Sequence, residues 1–82
     1  AEAEIELAAS YFTAGRDDEA LRHCERALAV ETTFEGLKLL GQIAERRGDR
    51  PRARHAWRLA LAAGGDPGQQ ALVQALLRGV ES

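Results

Sequence analysis

Displaced by 33 positions, the sequence falls on itself. Leu7 meets Leu40, Ala8 meets Gly41, Gly15 meets Gly48, Ala20 meets Ala53, Ala27 meets Ala60 and Leu28 meets Leu61. Cys24 and Trp57 coincide as large side chains, and Tyr11 and Ala44 as neutral core positions. A period of this length marks stacked helix pairs, because a single pair has two apolar faces and cannot bury both alone. The residue types fit such a stack. Ala8 and Gly41 are small in the middle of the first helix of each pair, and Ala20 and Ala53 are small near the start of the second. Small residues at both places let the backbones approach closely, while the bulkier Cys24/Trp57 position and its neighbouring leucines fill the wedge between one pair and the next.

Sixteen alanines, eleven leucines and only two prolines favour helix throughout, and no stretch alternates apolar and polar residues long enough to require a strand. Apolar residues recur at helical spacing at Leu7, Ala8 and Tyr11; at Ala20, Leu21, Cys24, Ala27 and Leu28; and at Leu37, Leu40, Gly41 and Ala44. Two further sets are Ala53, Ala56, Trp57, Ala60 and Leu61, and Leu72, Val73, Leu76, Leu77 and Val80. Gly15 and Gly48 are suited to closing helices. Asp17, Asp18 and Glu19 suit a helix start, as do Asp49 with Pro51, Thr32 or Thr33, and Asp66 with Pro67. Together these predict helices at about 2–14, 18–30, 34–47, 51–63 and 67–79. The short connections predict antiparallel neighbours. The fold class expected is all-α, with five antiparallel helices in one domain over 1–82.

At these same residues the chain resembles the tetratricopeptide repeat family. Leu7-Ala8-x2-Tyr11, Gly15, Ala20-x3-Cys24 and Ala27 match the family's pattern in one copy; Leu37-x2-Leu40-Gly41-x2-Ala44, Gly48, Ala53-x3-Trp57 and Ala60 match in the next. The departures are Glu4 where a large apolar residue is usual, Ala44 in the Tyr position, Cys24 in the Phe position and Thr32 in the Pro position. The resemblance implies a right-handed superhelical α-solenoid: repeat 1 over 1–32, repeat 2 over 33–66 and a capping helix over 67–82. It also implies a concave groove, lined by the first helix of each pair, that receives peptides or helices of other proteins. By position the groove residues are Ile5, Ala9 and Phe12, then Lys38, Gln42 and Glu45, then Gln74 and Arg78. Ile5 and Ala9 stand where the family's chaperone-tail binders carry Lys and Asn, which argues against that activity here.

Charge is unevenly divided. Residues 1–41 carry four basic and nine acidic side chains, −5, whereas residues 42–82 carry seven basic and four acidic, +3. Arg46, Arg47, Arg50, Arg52, Arg54 and Arg58 fall close together, and Lys38 is the sole lysine. Arg52, Arg54 and Arg58 form a basic patch on the fourth helix: a solvated outer face in the plainest view, a surface for an acidic protein in another, and for nucleic acid in a third.

Chemistry has little to work with. Cys24 is the only cysteine, so no internal disulfide or thiolate zinc site is expected. His23 and His55 are expected on outer helix faces, and His23 cannot share a metal with adjacent Cys24, because neighbours on a helix point about 100° apart. The Gly64–Gly68 segment lacks the Lys-Ser/Thr signature of a phosphate cradle. Trp57 and Tyr11 are expected in the core, the indole N–H reaching a backbone carbonyl or the surface. No catalytic residue, metal or cofactor is expected.

The functional expectation is a non-enzymatic protein–protein interaction module with a scaffold or assembly role. The alternatives are homodimerisation through an open N-terminal end, and then nucleic-acid binding. The opening Ala1-Glu2-Ala3-Glu4 reads as part of a longer protein, with any targeting segment upstream. Compartment is left open, with the cytoplasm favoured. Arg and Ala in preference to Lys hint at a GC-rich bacterial genome.

Overall fold

A computed structural model describes the backbone of residues 2–81 and the side chains of residues 3–81; Ala1 and Ser82, at the ends of the expected domain, lie outside it. Five helices account for the fold: α1 (Glu2–Thr13), α2 (Asp17–Val30), α3 (Phe34–Arg46), α4 (Arg50–Ala63) and α5 (Pro67–Glu81). Among the described residues there is no strand.

The helix ends follow local chemistry. Gly15 and Gly48 take φ of 81° and 84°, a conformation open to glycine at little cost. At the first turn the Arg16 N–H donates to the Tyr11 carbonyl at 2.8 Å and the Gly15 N–H to Phe12 at 3.1 Å. At the second, the Asp49 N–H donates to Ala44 at 2.8 Å and the Gly48 N–H to Glu45 at 3.0 Å. Donor for donor, the two turns are the same turn 33 residues apart, each satisfying the last carbonyls of its helix. Thr33, and not Thr32, caps α3, its hydroxyl accepting from the Gly36 N–H at 3.1 Å. Asp49 caps α4, with Pro51 in the first turn. Asp66 and Gln69 exchange hydrogen bonds at the start of α5, the reciprocal pattern of a capping box.

α1 packs on α2, α2 on α3, α3 on α4 and α4 on α5, and α1 also touches α3. One core cluster joins Ala8, Ala20 and Cys24 to Leu39 and Ile43 of α3. The other joins Phe34, Leu37 and Ala44 to Ala53, Trp57 and Ala60 of α4 and to Val73 and Val80 of α5. Leu28 packs against both clusters.

Trp57 and Cys24 occupy their expected core positions. The Trp57 indole N–H donates to the Lys38 carbonyl at 3.1 Å, and the Cys24 thiol donates to the Gly36 carbonyl at 3.2 Å. The predicted α3 stripe needs correction. Leu39, Ile43 and Phe34 are buried as well, because α3 sits between two neighbours and buries more than one face. Conversely Leu7 is 42% and Leu72 47% exposed, each on a helix that packs mainly against one neighbour, α1 against α2 and α5 against α4.

Candidate functional site

The expected groove begins on α1, where Ile5, Ala9 and Phe12 are half-buried. Ala9 and Phe12 pack against the cluster of Ala8, Ala20, Cys24, Leu39 and Ile43, so part of this stripe is already turned into the core. Phe12 is further covered by Arg46, whose guanidinium carbon lies 3.8 Å from the ring centre. The Arg46 Nε donates to Asp17 Oδ1 at 2.9 Å, and its Nη2 hydrogen-bonds Asp17 and the Phe12 carbonyl. That hydrogen bond holds the Asp17 carboxyl below its ordinary range and raises the guanidinium. Arg46 therefore ties three elements together: the end of α1, the start of α2 and its own helix.

Along α3, Lys38 and Gln42 are half-buried and Glu45 is exposed. On α5, Gln74 and Arg78 are exposed and share an open recess of about 280 Å³ with Leu77 and Glu81. Leu77 and Glu81 were missing from the sequence-derived stripe. Their offsets of three and seven from Gln74 are the signal that places all four on one helix face.

The division of charge between the halves resolves into internal pairing. Arg46 pairs with Asp17, Arg47 with Asp18 and Arg52 with Glu25, each joining an acid of the first repeat to an arginine of the second. Arg58 pairs with Glu81 of α5. Of the expected basic patch, Arg52 and Arg58 thus have acidic partners within the chain, and Arg54 is half-buried. Exposed pairs of this kind add little stability individually; together they bridge α2 to α3 and α4, and α4 to α5.

His23 departs from its expected outer position. Its Nδ1 lies 2.8 Å from Glu4 Oε2, and its ring stacks on Tyr11 with centroids 5.3 Å apart and planes 9° from parallel. Tyr11 is accordingly half-buried against α2, with Arg16 over its ring. The hydrogen bond from His23 lowers the Glu4 carboxyl below its ordinary range, assisted by the charge of Arg26. Position for position, Glu4 and His23 correspond to Leu37 and Ala56, both buried. The polar pair could have been found by asking what stands opposite Glu4, the charged residue in an apolar position of the repeat.

Cys24 is buried, and burial pushes its thiol up to about 11. His55 is exposed. Among the described residues, no group of three or more His, Cys, Asp or Glu side chains is placed to hold a metal ion, and no helix is long and apolar enough to cross a membrane. Comparison of the chain with protein-family models, with curated proteins and with solved structures finds no match.

Proposed function

We propose that the chain is a protein–protein interaction module of tetratricopeptide type, two repeats and a capping helix, that holds a peptide or helix of a partner along the stripe running from α1 through α3 to α5. The observation that carries this reading is the duplicated turn: the same glycine conformation and the same pair of carbonyl acceptors recur 33 residues apart, at Gly15 and Gly48. Repetition of a hairpin builds a surface repeated in the same direction, the form suited to an extended or helical ligand.

Within that surface the weight moves away from Phe12, whose ring Arg46 already covers, towards Lys38, Gln42, Gln74 and Arg78. The Leu77 side chain supplies apolar contact and Arg78 a cation at the edge of the same recess, a combination that takes an acidic group beside an apolar one. Pairing of Arg52 with Glu25 and of Arg58 with Glu81 weighs against nucleic acid on α4.

Affinity capture tests the reading. The Lys38→Glu/Arg78→Glu variant loses the proteins retained by the wild type while its helix content and melting are unchanged, and Arg54→Glu retains them. Equal retention by all three proteins would contradict it.

A further inference from the structure

We infer that α1 is an acid-released element: the carboxylates of Glu4 and Asp17 latch it onto the domain, and their protonation frees it while the α3–α4 pair stays folded. The inference goes beyond the groove and needs no partner for its test, although release of α1 would also remove Ile5, Ala9 and Phe12 from the proposed surface.

Two contacts, one towards each end of α1, carry it. In the first half of the helix, Glu4 accepts from His23 of α2 at 2.8 Å. At its last turn, Asp17 orients Arg46, which in turn hydrogen-bonds the Phe12 carbonyl and covers the Phe12 ring. Both carboxyls titrate below their ordinary values of 4.5 and 3.8. A carboxyl lowered in the folded state stabilises the fold above its unfolded value, and that stabilisation is lost as pH falls through the folded value. The latch is therefore closed at neutral pH and opens in acid.

The surrounding charges do not substitute for it. Glu4 faces His23 and Arg26 of α2; Tyr11, beside it on α1, stacks on His23 and lies under Arg16, which pairs with Glu19. Asp17 faces Arg46 and Arg47 of α3, and Arg47 is paired with Asp18. Protonating Glu4 and Asp17 leaves only cations and neutral groups facing these positions. In the α3–α4 pair a carboxylate serves as the Asp49 cap of α4, while the packing of the two helices on each other is apolar. Its contacts are Trp57 on Gly41, the indole bond to the Lys38 carbonyl, and the apolar cluster of Leu37, Ala44, Ala53 and Ala60. The remaining acids in ion pairs, Asp18, Glu25 and Glu81, bridge α2 to α3, α2 to α4 and α5 to α4.

Hydrogen exchange of the whole chain at about pH 7, 5 and 3, corrected for the intrinsic effect of pH on exchange, tests the latch. Protection of residues 5–13 is expected to fall at least about tenfold at the lowest pH relative to residues 38–46. The Glu4→Gln/Asp17→Asn variant is expected to show the loosened α1 already at neutral pH. Glu4→Leu/His23→Ala, which installs the second repeat's residues, reduces the acid response. Loss of protection in α1 and α3 at the same pH, a double variant as well protected in α1 as the wild type, or one that unfolds throughout, would each overturn the inference.

Discussion

The indole of Trp57 lies so close over Gly41 that a β-carbon there would stand 2.2 Å from its Nε1 and 2.4 Å from Cδ1. Gly41 is needed for that approach and not for a turn. The corresponding pair in the first repeat is Ala8 with Cys24, both fully buried. Ala8 and Cys24 belong to one core cluster, so the first repeat carries a middle-sized pair at the positions where the second carries the smallest residue and the largest.

Gly41→Ala is therefore expected to destabilise the chain by on the order of 3 kcal/mol, the upper part of the usual overpacking range. Denaturant unfolding measures it. The double variant Gly41→Ala/Trp57→Cys copies the first repeat's pair, so its loss should be smaller than the sum of the two single losses, a coupling a double-mutant cycle reads directly.

Cys24 supplies a pH prediction. Its folded value is raised from 9.0 to about 11 by burial, so the fold favours the neutral thiol. Stability is fully present below pH 9 and declines as pH rises through 11, by roughly 3 kcal/mol in all. Cys24→Ser or Cys24→Ala removes that slope. At neutral pH a thiol reagent should label Cys24 only as fast as the chain opens.

Arg46 joins α1, α2 and α3 on an exposed surface, where salt weakens charge interactions. The wild-type melting temperature should fall as salt is added. Arg46→Ala should melt lower than the wild type at low salt, and the gap should narrow at high salt as the Asp17 pair is screened, without closing, because the contact with the Phe12 ring is lost in the variant throughout. Thermal melts across a salt series check both.

Ile43, fully buried between the two repeats, should cost about 2–5 kcal/mol when truncated to alanine. Phe12→Ala should also destabilise, in contrast to the neutral effect expected of a residue lying free in a groove.

Much of the architecture was legible because it rests on local rules. Glycines at Gly15 and Gly48, acids at Asp49 and Asp66 and the period of 33 located every helix within two residues of its end, and the repeat position that Trp57 shares with Cys24 placed it in the core. What local rules could not convey is contact between distant residues. Ile43 and Leu39 are buried because α3 has neighbours on two sides, which spacing along one helix does not reveal. Arg46 covers Phe12 and His23 meets Glu4 only because the repeats and helices stack, and for the same reason the pairing of Arg46, Arg47 and Arg52 with acids of α2 could not be read from the uneven charge of the two halves. The site is legible to the extent that it is a helix face, as with Gln74 and Arg78, and not where it depends on what lies across from it.

An NMR titration of the chain with a partner segment recovered by affinity capture tests the proposed surface directly. Shift changes are expected to concentrate at Lys38, Gln42, Gln74, Leu77 and Arg78, on α3 and α5. Changes concentrated instead on α2 and α4, around Arg22, Arg54 and His55, would contradict it.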